Sequence, residues 1–213
     1  MADVTLDALD LSALLCSRVC HDVISPVGAI VNGLEVLEAE DDASMRDFAL
    51  DLIRKSARQA SDRLQFARLA FGAAGSAGAT IDTGDAEQVA RGMFEGDSKT
   101  TLAWAGPRAL LPKNQVKLLL NLVVLATGAI PRGGAIEVAI TPDPSRFTLT
   151  ARGNHARIPA HVEDLLAGRP ESGTVDAHGI QAFYAGLVAR AAGMGVTYAI
   201  DGNTVTIRAE PTA

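Results

Sequence analysis

The chain contains 213 residues, of which 48% are hydrophobic and 21% charged, so it is long enough for one large or two small globular domains. The 25 Asp and Glu residues outnumber the 19 Lys and Arg residues, and the resulting net charge of -6 predicts no general affinity for nucleic acids. Residues 116–130, the longest apolar candidate, contain Lys117 and Asn121, so we expect no membrane span. The acidic start lacks a signal-peptide pattern, which predicts a cytoplasmic protein.

The first part of the chain predicts a helical hairpin. Two helical patterns are separated by a short polar break at residues 41–44, and in the second pattern Ser44 and Asp47 fit an N-cap and its N3 partner. Residues 72–80 are rich in Gly, Ala and Ser, which is typical of a linker. We therefore predict a helical-hairpin domain over residues 1–75 and a second domain over residues 80–213.

Helical and strand patterns alternate beyond the linker. The last two pairs of strand patterns are separated by short turn sequences, so we expect a mainly antiparallel sheet with helices on one face. The predicted fold class is α+β. Helices are predicted over residues 85–95, 113–130 and 180–192, and strands over residues 100–104, 135–141, 146–150, 196–200 and 204–208.

His21 lies on the first predicted helix, on a face with mostly polar neighbours. The apolar positions fall on the opposite side of the helical wheel, so we expect the imidazole to face water. The adjacent Asp22 can orient the ring. Pro26 removes the backbone amide that would bond the Asp22 carbonyl, a change that costs a helix about 3 kcal/mol. This pattern indicates either a functional histidine or a kink that fits the two helices together. The apolar positions are Cys16, Val19, Val23, Ile30, Leu34 and Leu37.

The segment His21-Asp22-Val23-Ile24-Ser25-Pro26 resembles the H-box of sensor histidine kinases. In that family the box lies on the first helix of a hairpin, two hairpins form a dimeric four-helix bundle, and the histidine carries a phosphoryl group. An ATP-binding α/β domain follows the hairpin. The resemblance therefore implies a dimeric hairpin with a phospho-acceptor histidine, followed by an ATPase-like α/β sandwich.

The nucleotide-binding motifs of that family are degenerate in this chain. Asn121 begins a segment similar to the N-box, but Leu125 occupies its second asparagine position, and leucine has no oxygen to bind magnesium. Ala151 stands where the family has its adenine-reading aspartate. Residues 178–181 replace a glycine-rich box whose backbone approaches phosphate. We therefore expect no ATP binding and no ATP-dependent kinase activity.

Over essentially its whole length the chain resembles the ChpT-type histidine phosphotransferases of alphaproteobacterial cell-cycle phosphorelays. The resemblance implies a homodimer that takes a phosphoryl group from the receiver domain of a CckA-like hybrid kinase and passes it to CtrA-like and CpdR-like response regulators. His21 would be the nucleophile and Asp22 would steady its ring. The chain would need no cofactor of its own, because the receiver would supply Mg²⁺. The candidate partner-binding residues are Arg18, Ile24, Ser25, Gly28, Arg54 and Arg58.

Several alternatives remain open from the sequence. The chain could be an ATP-dependent kinase with divergent boxes, or a dimeric interaction module in which His21 is idle. Cys16, Cys20 and His21 suggest a metal or haem site, but the spacing is one residue too long for haem attachment, and the other histidines lie in the second domain. We instead interpret Cys16 as a core residue and Cys20 as a flank of the dimer or hairpin interface. A monomer would require the α/β domain to fold over the hairpin.

Overall fold

Two long helices form an antiparallel hairpin in a computed structural model that describes residues 3–39, 42–72 and 80–212. Helix α1 spans Ala8–Ala39 and helix α2 spans Ala43–Ala70. The N-cap of α2 is Asp42, whose carboxylate accepts hydrogen bonds from the backbone amides of Ser44 and Met45. The predicted N-cap at Ser44, with Asp47 as its partner, was therefore wrong. Most of the predicted linker lies outside the described residues.

The rest of the chain forms a sheet with helices packed on one face, so the predicted α+β fold class is confirmed. The elements are β1 (Thr80–Asp82), α3 (Thr83–Phe94), β2 (Thr100–Ala105), β3 (Leu110–Pro112), α4 (Lys113–Ala129), β4 (Gly134–Pro142), β5 (Ser145–Arg152), α5 (Val162–Leu166), α6 (Ile180–Ala191), β6 (Met194–Asp201) and β7 (Thr204–Pro211). The strand order in the five-stranded sheet is β2-β4-β5-β7-β6, with β2 parallel to β4 and the other pairs antiparallel. A small antiparallel pair, β1 and β3, lies apart from it.

Helix α4 lies at the centre of the hydrophobic core. Its leucines are buried on several sides, because the helix contacts the sheet, α6 and the end of α2. Phe66 and Ala70 of α2 belong to the same buried cluster, and the ring of Phe71 packs on Tyr184 with 5.6 Å between ring centroids. The C-terminal half of α2 is therefore anchored in the core of the α/β part.

Helix α1 carries a second apolar face beside the one that packs on α2, where the sequence predicted a single apolar stripe. Val19, Val23 and Ile30 are half-buried toward α2, as expected, but Leu34 and Cys16 are exposed. The interpretation of Cys16 as a core residue was wrong for the single chain. A helical wheel centred on His21 merged two neighbouring apolar faces into one. The residues of the second face recur at steps of three and four and are called the exposed stripe: Ala13, Cys16, Cys20, Ile24, Val27, Val31 and Leu34.

The exposed stripe also bears on the expectation that the chain has no membrane span. Among the described residues, α1 is the one helix that is long and apolar enough to cross a membrane by length and composition alone, contrary to the expectation that no stretch qualifies. Its apolar side chains lie on two faces, one against α2 and one exposed, while Arg18, His21 and Asp22 lie on another part of the helix surface. That distribution is typical of a helix that packs against other helices.

Candidate active site

His21 is exposed, as predicted, with 82% of its side chain accessible. Its Nδ1 atom lies 3.3 Å from Oδ1 of Asp22, while Oδ2 of Asp22 lies 3.2 Å from Nε of Arg18, one helical turn earlier. The Asp22 carboxylate is thus held by a cation on one side and faces the imidazole with its other oxygen. A proton on Nδ1 can be donated to this oxygen, which leaves the lone pair of Nε2 available to an incoming group.

A side chain of the second helix replaces the hydrogen bond that Pro26 removes from α1. Pro26 is buried within α1 and has no amide to donate to the Asp22 carbonyl. Nη1 of Arg63, from α2, donates a hydrogen bond to that carbonyl instead. The sequence showed that the amide is missing but did not identify the donor that replaces it at the Asp22 carbonyl. Arg63 therefore joins α2 to the turn of α1 that carries His21.

His21 also lines a cleft of about 470 Å³ between the hairpin and the α/β part. The cleft brings five of the predicted site residues together on α1: Arg18, His21, Asp22, Ile24 and Ser25. Its opposite wall comes from α3, the loop after α3, the start of β2 and α4, which no sequence signal identified. The residues of that wall are Met93, Phe94, Asp97, Thr100, Val123, Val124 and Thr127.

The remaining predicted partner-binding residues lie elsewhere. Gly28 lies outside the lining of this cleft, and a Cβ atom added to it would meet open space. Arg54 and Arg58 line a separate groove with Asp62 and Glu95. Burial in this groove, together with the charge of Glu95, raises the pKa of the Asp62 carboxyl, and Arg58 opposes that shift. The structure therefore separates these two arginines from the His21 cleft.

Asn121, the residue that resembles the N-box asparagine, is fully buried and bonded to protein groups. Its Nδ2 donates to the carbonyls of Ala70, at 3.2 Å, and Lys117, at 2.7 Å. Its Oδ1 accepts from Nε2 of Gln181 at 2.6 Å. The amide therefore joins α2, α4 and α6, and its hydrogen-bonding groups face protein partners instead of a solvent-filled site.

The backbone amides before α6 are also occupied. Oδ1 of Asp176 accepts from the amide of Gly179 at 2.7 Å and from that of His178 at 3.0 Å. The hydrogen bond from Gly179 holds the pKa of the Asp176 carboxyl below its ordinary value. A carboxylate of the chain itself thus accepts hydrogen bonds from two backbone amides before α6.

The two cysteines near His21 are free, exposed thiols. Within residues 3–39, 42–72 and 80–212, no group of three or more His, Cys, Asp and Glu side chains is arranged to hold a metal ion. Cys16 and Cys20 both belong to the exposed stripe of α1.

Replacing Asn121 with alanine is expected to lower the free energy of unfolding by about 2–3 kcal/mol, because the Gln181 amide and the Ala70 carbonyl lose a buried partner. Urea denaturation measures this loss. The matched control is Asn154→Ala, which changes an exposed asparagine and should stay within about 0.5 kcal/mol of the unmodified chain. Equal values for the two variants would contradict the structural role of Asn121.

Comparisons with known proteins identify the class. A family model described as the histidine phosphotransferase C-terminal domain matches residues 83–204. A solved structure described as a bacterial phosphotransferase is 47% identical, with a TM-score of 0.88, and the match covers 99% of this chain and 100% of that chain. The protein phosphotransferase ChpT of Brucella abortus (strain 2308) is 50% identical over 210 residues, or 97% of this chain and 98% of that protein. The chain therefore belongs to the ChpT family of histidine phosphotransferases, and phosphotransferase activity, predicted from its sequence, is confirmed.

Proposed function

We propose that this protein carries phosphoryl groups in a multistep phosphorelay, with His21 as the acceptor. The observation that carries the proposal is the exposed imidazole, whose Nδ1 faces the Asp22 carboxylate at 3.3 Å while Nε2 is available at an open cleft. A partner domain with an aspartyl phosphate can approach such a site directly. The resemblance supplies the partner classes, namely the receiver of a CckA-like hybrid kinase as donor and CtrA-like and CpdR-like response regulators as acceptors.

The chemistry needs one nucleophile and one orienting carboxylate. The Nε2 lone pair of neutral His21 attacks phosphorus, an N–P bond forms, and the P–O bond to the receiver aspartate breaks as its carboxylate leaves. The ring keeps its proton on Nδ1 and becomes positively charged, and the Asp22 carboxylate stabilises that charge. Transfer to a second receiver reverses these steps.

We propose that the chain binds no ATP and uses Mg²⁺ only as part of its partner receiver. Two features support the first statement: the Asn121 amide is bonded within the protein, and Asp176 occupies the amides before α6. Leu125 in the second asparagine position offers no ligand to a metal ion. The same features argue against an ATP-dependent kinase.

We propose that a second copy of the chain covers the exposed stripe, so that two hairpins form a four-helix bundle. Gly33 of α1 faces Ala49 and Ile53 of α2, and the next residue on each helix, Leu34 or Leu50, points to the same side of an antiparallel hairpin. Leu50, Ala57 and Leu64 repeat at intervals of seven on α2 and extend the apolar surface.

The α/β part leaves this surface open. It packs on the end of α2 and on the side of the hairpin that carries the His21 cleft. Of the exposed stripe only Ile24 lines that cleft, and Ile24 is still exposed, so the α/β part does not cover the stripe, which a monomer would require. An isologous pair buries such a surface on both copies at once.

We also propose that the protein acts in the cytoplasm. Its two cysteines are exposed free thiols, which fits a reducing compartment. The apolar surface that makes α1 resemble a membrane helix would then contact a second hairpin instead of lipid.

An ATP-free transfer assay tests the proposed function. The protein is mixed with a radiolabelled phospho-receiver domain and Mg²⁺, and we expect label on the protein that is labile in acid and stable in alkali. Addition of a second, unlabelled receiver should then remove that label. Failure to take up label from several receivers would favour the alternative that the protein is a dimeric binding module.

Replacing Asp22 with asparagine is expected to slow phosphoryl uptake about tenfold to a hundredfold, because the neutral amide stabilises the developing imidazolium poorly. The rate of label uptake at a saturating receiver concentration measures the effect. Asp10→Asn, which removes an exposed carboxylate from the first turn of the same helix, serves as control. Equal rates for the two variants would contradict the role of Asp22.

A further inference from the structure

The turn of α1 that carries His21 lacks one of its own helical hydrogen bonds. In an uninterrupted helix the amide four residues later would donate to the Asp22 carbonyl, but that position is Pro26. The carbonyl belongs to the residue whose carboxylate faces the imidazole. A loose backbone at this point would therefore loosen the orientation of the nucleophile.

Arg63 supplies the missing donor from a different helix. Its Nη1 atom donates to the Asp22 carbonyl across a separation of 41 residues, and the bond is partly buried. Arg63 lies one turn before Phe66, which is buried in the core shared with α4. Arg63 therefore lies on a part of α2 that is packed into the hydrophobic core.

Two groups of Asp22, its backbone carbonyl and its carboxylate, are therefore held by arginines, while the carboxylate also faces the imidazole of His21. Arg63 binds its backbone carbonyl, Arg18 binds its carboxylate Oδ2, and Oδ1 faces Nδ1 of His21. We propose that Arg63 is a positioning residue for phosphoryl transfer, because it replaces the backbone donor absent at Pro26 and so fixes the turn that presents His21. This inference rests on the proposed function of His21.

The Arg63 guanidinium also contributes positive charge to the cleft. Arginine carries five N–H donors and stays charged, and Arg63 lines the same cleft as His21. The residue that replaces the missing hydrogen bond therefore also places positive charge in the cleft that would receive the phosphoryl group. Lysine would keep the charge and a single donor group, whereas methionine would remove both.

The first experiment measures phosphoryl uptake from a labelled phospho-receiver over a range of receiver concentrations. Arg63→Met is expected to lower the maximal rate about tenfold or more while the half-saturating receiver concentration changes less than about threefold. Arg63→Lys should retain more of the maximal rate than Arg63→Met does. The control Arg68→Met removes the same charge from an exposed position on α2 and should leave both parameters unchanged. An unchanged maximal rate in Arg63→Met, or a change in the half-saturating concentration alone, would overturn the inference.

The second experiment tests the link to Pro26 with a double-mutant cycle. Pro26→Ala restores a backbone amide that can donate to the Asp22 carbonyl. Arg63→Met should therefore lower the maximal rate of phosphoryl uptake much less in the Pro26→Ala background than in the otherwise unmodified chain. The same coupling is expected in thermal unfolding, where Arg63→Met alone should lower Tm by about 2–4 °C and should lower it by less in the presence of Pro26→Ala. The unfolding cycle remains readable if Pro26→Ala alone abolishes transfer. Equal losses in both backgrounds would overturn the assignment.

The two proposals fail in different ways. If the unmodified protein takes up no label, the proposed function and this inference are both wrong. If the unmodified protein takes up label but Arg63→Met and Arg68→Met behave alike, only the positioning role of Arg63 is wrong.

Discussion

Replacing His21 with alanine is expected to abolish phosphoryl uptake, a loss of at least about a thousandfold in rate, because the chain then has no nucleophile at the cleft. The change removes an exposed side chain from a helix and should leave the free energy of unfolding within about 0.5 kcal/mol. The measurement is label transferred from a phospho-receiver in the presence of Mg²⁺ and the absence of ATP.

His178→Ala is the matched control for this prediction. His178 is also exposed and also lies near a carboxylate, with Nδ1 3.9 Å from Asp176, but it lies before α6 and not at the cleft. We expect this variant to take up label like the unmodified protein. Uptake by His21→Ala, or loss of uptake in His178→Ala instead, would show that the acceptor is not His21.

A charge in the exposed stripe is expected to convert a dimer into monomers. Val31 is half accessible in the single chain, and in the proposed bundle a glutamate at this position would lie in the apolar surface between the two copies. An unpaired buried charge is strongly unfavourable, so Val31→Glu should shift the apparent mass in multi-angle light scattering from two chains to one. The fold of the α/β part should remain, because that part has its own core.

The control for this experiment is Ile200→Glu. Ile200 has the same 49% accessibility as Val31 but lies on β6, far along the chain from the hairpin. This variant should keep the mass of the unmodified protein. A monomeric unmodified protein, or a Val31→Glu variant that stays dimeric at micromolar concentration, would contradict the proposed bundle.

The main elements of the fold could be predicted from local patterns. The hairpin, α4 and the two β-hairpins are long and strongly periodic, and each was placed within a few residues of its observed range. The strands β1 and β3 have only three residues each, too few for a period to emerge. The exposed stripe was not separated from the face toward α2, because α1 has apolar residues on two adjacent faces and a helical wheel alone does not say which one contacts α2.

The active site could be predicted in part. The exposure of His21 and its pairing with Asp22 follow from neighbours on one helix, so the sequence contains the information. The wall formed by α3 and α4 depends on how the hairpin packs on the α/β part, and no local pattern reports that packing. The missing amide at Pro26 was predictable, whereas its substitute, Arg63, is 41 residues away from Asp22 and depends on the register of the hairpin.

The expectation that the chain binds no ATP rests on substitutions in the motifs, but the roles of the retained residues could not be predicted from them. Leu125 and Ala151 indicated that key side chains are absent. That Asn121 would bond to Ala70 and Gln181 depends on contacts among three helices, since its partners come from α2 and α6. A residue that resembles a family motif can therefore remain in place for packing.

The measurement that tests the central claim most directly is the location of the phosphoryl group after transfer. The unmodified protein is labelled from a phospho-receiver without ATP, digested at neutral to alkaline pH, and sequenced by mass spectrometry under conditions that preserve phosphohistidine. The chain has four histidines, at positions 21, 155, 161 and 178, so the assignment is unambiguous. We predict the phosphoryl group on His21 alone; its presence on His155, His161 or His178, with His21 unmodified, would contradict the account.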